Sequence, residues 1–354
     1  MNPVAPTEAL AALEFATVLE ILATRAAGPV AAGRLRQLSP HSDPETVASE
    51  LRRIGELLAL HRRGDRLDVP PVPELRPTLG RLRVAGSVLE PAELVAIRHT
   101  LAAAHTIAAE LQRVADAAPQ VAELRAMPVD REIERRLERT VDDDGELLDS
   151  ASPALAAARR EVHVARERLI RRLEHILRDL DGGAGAAVTL RGGRYVIPVR
   201  RDVRSRPDGI IHDESGSSGT LFIEPSAAIE LGNALRAAVI AEERAVLEVL
   251  REVTEMLRPL HHAIAALHEM SVLLDALAAR ASWAHDTDAE LPEQSGVGGT
   301  LRLIQARHPL LLARGIDVVP FDLALDDHER TLLISGPNTG GKTVLLKSVA
   351  LVAM

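Results

Sequence analysis

The chain carries 42 basic side chains, and only Lys342 and Lys347 are lysine; every other one is arginine. Lys342 closes Gly336-Pro337-Asn338-Thr339-Gly340-Gly341-Lys342-Thr343, which fits G-x-x-x-x-G-K-[ST], the pattern of a phosphate-cradling P-loop. The chemistry accounts for each residue type. Glycines let backbone N–H groups turn inward onto phosphate oxygens, and the helix that follows adds the positive end of its dipole. A compact ammonium on a flexible stem reaches between β- and γ-phosphates, where a planar guanidinium is bulkier and built for forked contacts. A threonine hydroxyl beside it is suited to Mg²⁺. Residues Gly336 to Thr343 are read as an ATP site, with Thr343 on the Mg²⁺.

A second cluster has different chemistry. Arg191, Arg194, Arg200, Arg201, Arg204 and Arg206 fall within sixteen residues and are opposed within that stretch by Asp202 alone. Net charge over the whole chain is −9, so any nucleic-acid contact has to come from a local patch. These arginines are candidate contacts to a phosphate backbone. The other reading is a solvated face of an arginine-biased chain. Tyr195 and Phe222 lie in the same segment, too few for a base-stacking platform, and read as core.

Other constellations carry no chemistry. Asp142-Asp143-Asp144-Gly145-Glu146 invites a calcium loop, but that register would put Thr140 and Ala151 at the first and last ligand positions, so a tight turn is expected. His212-Asp213-Glu214-Ser215 has triad residue types as sequence neighbours, without a nucleophile elbow, and reads as a hairpin loop. His261, His262 and His268 do not match H-E-x-x-H spacing and read as exposed helix histidines. The absence of cysteine excludes disulfides and thiolate metal sites and fits a cytoplasmic protein. No run of 18 or more apolar residues is present, so no membrane span is expected.

These residues need elements to hold them. Thr331-Leu332-Leu333-Ile334-Ser335 reads as a short buried strand entering the glycine loop, and Val344 to Val352 as the helix leaving it. The chain ends at Met354, inside that helix, so residues 291–354 are expected to be the start of a P-loop ATPase domain that hydrolyses little ATP alone. Ala, Leu, Arg and Glu dominate elsewhere, which favours long helices. Residues 1–130 read as a helical core, with apolar faces at Leu10, Leu13, Val18, Ile21 and Leu22, over Glu45 to Leu60, and from Leu89 to Leu111. A Pro-rich break lies at Val69 to Pro73.

Ser152-Pro153 reads as N-cap and first helical residue of a long helix, with an apolar stripe at Leu155, Ala158, Val162, Ala165, Leu169, Leu173, Ile176 and Leu180. A matching stripe runs Leu250, Val253, Leu257, Leu260, Ile264 and Leu267, interrupted or restarted at Pro259. The steps of three and four suggest a coiled-coil arm. Residues 131–186 are then linker and ascending lever, and 226–290 the descending lever and return to the core. The segment between them, 187–225, holds β-like runs punctuated by glycine and all six clustered arginines. The expected fold class is mainly α: a helical core with coiled-coil levers, a small basic β-rich clamp, and the opening of an α/β P-loop domain.

The motifs also converge. Asp144-Gly145-Glu146-Leu147-Leu148-Asp149-Ser150-Ala151-Ser152-Pro153, Arg194-Tyr195-Val196-Ile197-Pro198-Val199 and Ser217-Ser218-Gly219-Thr220-Leu221-Phe222-Ile223-Glu224-Pro225 occur in that order. They are followed by Ala306-Arg307-His308-Pro309-Leu310-Leu311 and the P-loop. In this combination the chain resembles the N-terminal part of the bacterial MutS-like paralogues known as endonuclease MutS2. The resemblance implies a homodimer whose ATP sites are completed by the partner subunit. It also implies action on nucleic-acid assemblies: branched or mismatched DNA in recombination control, or stalled and collided ribosomes, with their rRNA, split using ATP. Some members carry a C-terminal Smr nuclease domain, and no nuclease residue is transferred to this chain, which also lacks the Walker-B and signature segments.

Three rivals are weighed. A mismatch-repair MutS would open on a mismatch-reading domain bearing a Phe-x-Glu wedge; here Phe222-Ile223-Glu224 lies in the clamp-like segment and the chain opens on core-like helices. A structural-maintenance or ABC-type ATPase would place its P-loop before the arm. The third is a non-enzymatic binding fragment.

Overall fold

The structure, a computed structural model, describes residues 5–180, 186–202, 206–215, 219–294, 300–329, 331–337 and 341–352. Thirteen α-helices and six strands run along these residues in the order that follows. The first eight helices are α1 Thr7–Ala12, α2 Phe15–Ala23, α3 Pro29–Arg36, α4 Pro44–Arg62, α5 Arg76–Leu82, α6 Pro91–Arg113, α7 Pro119–Ala122 and α8 Arg131–Glu138. Next come α9 Pro153–Arg178, β1 Thr189–Arg191, β2 Arg194–Arg200, β3 Gly209–Glu214, β4 Thr220–Pro225 and α10 Ser226–Leu257. The chain continues with α11 His261–Asp286, β5 Leu301–Ala306, α12 Pro309–Ala313, β6 Phe321–Leu325 and α13 Lys342–Val352. The architecture is mainly α. Two compact units divide the chain: Met1–Leu79 with Ala96–Asp130 and Leu260–Met354, and Gly80–Val95 with Arg131–Pro259.

In the first unit α11 is the central helix, packed on α2, α3 and α4. One contact layer is built of small residues, Ala23, Ala31, Ala32, Ala103, Ala276 and Ala279, with Leu35, Val72 and Val272. Alanine lets helix backbones approach closely, so this layer buries area without aromatics. Carboxylates of one element cap helices of another. Asp275 of α11 accepts from Ala27 N at 2.8 Å and Gly28 N at 2.9 Å, at the entry to α3. Glu56 of α4 accepts from Gln120 N and Val121 N of α7. Each cap satisfies N–H groups that a helix start leaves without a partner. The α2 face that is buried centres on Leu19 and Ala23, because a left-handed residue at Glu14 separates α1 from α2 and re-aims the stripe.

The Pro-rich break is coil as expected, but it is not peripheral. Val69, Val72 and Leu75 are buried, and Pro73 O accepts a 2.9 Å bond from His268 Nε2. His268 is therefore a core residue, 4% exposed, where the helical spacing suggested an exposed histidine.

In the second unit α9 and α10 lie along each other, connected through the four-stranded antiparallel sheet β1-β2-β4-β3. The pairs run antiparallel: Arg159, near the start of α9, meets Glu242, well along α10. Ser152 Oγ caps α9 by accepting from Leu155 N at 3.0 Å, with Pro153 at the first turn. The buried stripe is Leu155, Val162, Ala165, Leu169, Leu173 and Leu177. Its last steps are fours rather than alternating threes and fours, so Leu177 is buried and the expected Ile176 and Leu180 flank it. This stripe joins Ala228, Leu235 and Ala238 of α10 and one sheet face, Ile197, Val199, Leu221 and Ile223, in a single apolar cluster. Cross-strand pairs Ile197↔Ile223 and Val199↔Leu221 place those four on the same side.

The Asp142 segment is a tight turn: Asp142 Oδ1 accepts from Asp144 N and Glu146 N, Gly145 has φ +81°, and Val141 bridges Leu147. At Pro259 the chain makes a 3-10 turn, Arg258–Leu260, between α10 and α11. One window within Ser226–Asp286 reaches a mean hydropathy of 1.2, and 61% of it is buried inside the protein, as in a core helix.

One expected element is not formed. Thr331 to Ser335 takes no strand pairing, and Leu333 is 87% exposed. A strand exists only through the neighbours that satisfy its ladder. Among the described residues β5 and β6 pair with each other, Leu301↔Leu325 to Ala306↔Phe321, and this segment joins neither of them.

Candidate functional site

The P-loop pattern ends where α13 begins. Lys342 is the first residue of that helix, and Leu345 N, bonded to Gly341 O at 2.9 Å, makes its first helical bond. The N–H groups before it have no intrahelical partner and leave positive dipole density at the mouth of the loop. Gly341 has φ +73° and Gly336 φ +149°, conformations open to glycine and rarely taken by L side chains. The Lys342 ammonium folds back over the loop, donating to Gly336 O and, at 2.8 Å, to Pro337 O. Thr343 is exposed beside it. Asn338, Thr339 and Gly340 lie outside the described residues. The residues present fit a nucleotide's phosphates: an ammonium over the loop, αL glycine at the turn, and a helix N-terminus with a hydroxyl exposed for a metal-bound phosphate.

Charge on α13 reaches a buried histidine outside that helix. His308 caps α12, its Nδ1 accepting from Leu310 N at 3.3 Å, and it is 5% exposed. Burial is the first cause that holds its pKa below the ordinary value, with Lys347 adding to it. Lys347 Nζ donates to Glu14 Oε2 at 2.9 Å. Sequence spacing gave no sign of this pair, whose members are 333 residues apart; the one available signal was the second lysine of an arginine-biased chain.

The clustered arginines sit on the four-stranded sheet, and their local count of acids misleads. In space Arg191 meets Asp213 at 3.3 Å and stacks over the Phe222 ring, 4.6 Å from its centroid. Arg200 meets Asp202 at 2.8 Å, and Arg201 meets Glu214 at 2.7 Å. Arg194 meets Glu224 at 3.3 Å and Asn233 Oδ1 at 3.1 Å. Three of these acids come from β3 and β4, brought over by the register Asp213↔Phe222 and Glu214↔Leu221. Arg206 is exposed, and Arg204 lies outside the described residues.

The four pairs are not equivalent. Arg200, Arg201 and their acids are each about half exposed or more, so those bridges are weak and exchangeable. Glu224 is 4% exposed and also accepts from His212 Nε2 at 2.7 Å. His212 thus belongs to strand β3, not to a free loop, and pairs with a buried carboxylate. Gly232 of α10 makes room for it: a Cβ there would lie 3.0 Å from Glu224 Oε1 and 3.4 Å from Arg194 Nη1.

No metal-holding group of His, Cys, Asp or Glu occurs among the described residues. His261 and His262 lie ring against ring, 3.9 Å between centroids.

No family model matches the sequence. Curated relatives do. The chain is 38% identical to endonuclease MutS2 of Gemmatimonas aurantiaca over 353 residues, 98% of this chain and 43% of that protein. The chain belongs to the MutS2 family. It is also 37% identical to endonuclease MutS2 of Thermomicrobium roseum over 98% of its length, and 38% identical to that of Geobacillus kaustophilus over 97%. The chain spans less than half the length of these MutS2 relatives, 43%, 46% and 44% respectively.

Proposed function

We propose that this chain is the nucleotide-binding and nucleic-acid-gripping portion of an ATP-driven, cytoplasmic, homodimeric clamp ATPase. The observation that carries the reading is Lys342, the first residue of α13, with its ammonium over the P-loop carbonyls. In this reading Gly336 to Lys342 hold the phosphates of ATP and Thr343 orients Mg²⁺. Bound Mg²⁺-ATP supplies concentrated negative charge whose binding energy can differ between open and closed states, and only such a difference can move a clamp.

The proposed layout keeps residues 1–130 as helical core, 131–186 as linker and ascending lever, 187–225 as clamp, 226–290 as descending lever and return to the core, and 291–354 as the start of the ATPase domain. The packing of α9 along α10, with the arginine-bearing sheet between them in sequence, supports it. Exposed Arg200, Arg201 and Arg206 are the best-placed phosphate contacts, with Arg191 beside them and Arg204 in the same run. DNA and rRNA both offer such phosphates. The relatives' name, endonuclease, favours DNA.

The test uses the full-length protein. Binding to branched and linear duplex DNA is compared with co-sedimentation on ribosomes at one near-physiological salt, with and without ATP. ATP-sensitive association with either substrate, lost in Lys342→Ala while static binding remains, supports the reading. Loss of all substrate binding in Lys342→Ala without ATP contradicts the separation of roles.

A further inference from the structure

The second lysine is left over once the P-loop has taken the first. An arginine-biased chain places a compact ammonium at residue 347, five residues along α13 from Lys342. Five residues turn a helix by about 140° beyond one full revolution, so the two lysines face different sides. Lys342 reaches the loop carbonyls. Lys347 reaches Glu14.

Glu14 is an unusual residue for its position. It is the N-cap of α2, a place that favours Ser, Thr, Asp, Asn or Gly, and its side chain makes no capping bond. Its backbone is left-handed, φ 55° and ψ 35°, a region seldom used by residues other than glycine. The strained backbone turns the carboxylate away from its own helix and onto Lys347 at 2.9 Å. The bond from Lys347, then its charge, holds the Glu14 carboxyl below the ordinary range, with Arg314 and His308 adding to it. Glu14, His308, Arg314 and Lys347 belong to one compact unit, and the last three are the cations that act on the Glu14 carboxyl.

We propose that Glu14 and Lys347 are positioning residues for the nucleotide site: by fixing the roll of α13 about its axis, the pair sets the direction in which Lys342 and Thr343 face the P-loop. The inference rests on the reading of residues 336–343 as an ATP site. Neither residue belongs to the P-loop pattern 336–343. A roll of α13 that broke the Glu14 contact would swing Lys342 off the loop carbonyls, because both side chains leave the same rigid helix. Ser348, buried and bonded to Val344 O at 2.8 Å, marks the face of α13 that packs inward beside Lys347.

The experiment titrates the full-length protein with a fluorescent ATP analogue and Mg²⁺, as wild type, Glu14→Gln, Lys347→Gln, the charge-swapped double variant Glu14→Lys with Lys347→Glu, and Lys342→Ala. Melting temperatures are recorded beside each titration. Each single variant is expected to bind the analogue about threefold more weakly, the size expected of one partly exposed ion pair. The swap is expected to recover most of that loss, with melting temperature unchanged throughout. Unchanged affinity in both single variants, a swap that recovers nothing, or a fall in melting temperature with affinity intact would each overturn the proposal. If the wild type binds no analogue, or Lys342→Ala binds it equally, the ATP-site reading itself fails, and that outcome is distinct from the others.

Discussion

Arg194 Nη1 lies 3.3 Å from Glu224 Oε1, and the Glu224 side chain is only 5% exposed. Arg194 is thereby committed to holding β2 against β4 and α10, with Asn233 as its second partner. Removing one member of a buried ion pair leaves the other charge uncompensated, which typically costs about 3 kcal/mol or more. Glu224→Ala is expected to cost about 1–3 kcal/mol, since it removes the acceptor shared by Arg194 and His212, whose side chains are each about a quarter exposed. Arg194→Ala is expected to cost less, because His212 still donates to Glu224. Urea-denaturation midpoints of the two variants check the order; a larger loss in Arg194→Ala would contradict it.

Gly232 tests the same cluster with opposite signs. In a helix interior Gly→Ala ordinarily gains about 1 kcal/mol. Here the new Cβ would lie 3.0 Å from Glu224 Oε1, which holds Arg194, while Oε2 of the same carboxylate is held by His212, so the group cannot give way freely. Gly232→Ala is expected to destabilise wild type and to stabilise the Glu224→Ala background. A double-mutant cycle measures the coupling, and additive effects would show that the Cβ is accommodated.

How much of this was legible in the sequence depended on range. The Ser152-Pro153 start of α9 and the Asp142 turn are local, each closed by bonds within a few residues, and both formed as expected. The P-loop pattern is local too. What could not be read was the partner of each arginine. Glu224 is 30 residues from Arg194, and it arrives only through the β2–β4 register. The buried state of His268 depends on a carbonyl 195 residues away. Thr331 to Ser335 shows the limit from the other side: its apolar β-branched pattern is a preference for a strand, and no described neighbour fulfils it.

Asp275 gives a pH dependence with a definite sign. Burial raises its pKa above the ordinary carboxylate value, and the bonds from Ala27 N and Gly28 N offset only part of that. The folded state therefore binds a proton more tightly than the unfolded chain at this site. The stability this supplies is fully present below the unfolded value of about 3.9 and is lost as pH rises through the raised folded value. The melting temperature of wild type minus that of Asp275→Asn is expected to fall across that window as pH increases. Asp275→Ala, which leaves two N–H groups at the start of α3 uncapped, is expected to cost about 1–2 kcal/mol at neutral pH. A wild type minus Asn difference that grows with pH would contradict the assignment.

The same geometry ranks the clustered arginines as proposed phosphate contacts. Arg200 and Arg201 are bridged to Asp202 and Glu214, which are 69% and 45% exposed. Such bridges contribute about 0–1 kcal/mol, so handing the guanidinium to a phosphate costs little. Arg194 would have to abandon a carboxylate that water does not reach. Each phosphate contact on duplex DNA contributes about 0.9 to the slope of log K against log salt. Neutralising Arg200, Arg201 and Arg206 together is expected to weaken binding and flatten that slope by about two to three, at the upper end if each meets one phosphate. Arg194→Gln is expected to lower stability and leave the slope unchanged. Binding isotherms of the full-length protein over a salt series decide it: an unchanged slope in the triple variant would remove this face of the sheet from the nucleic-acid contact, and a flattened slope in Arg194→Gln would return Arg194 to it.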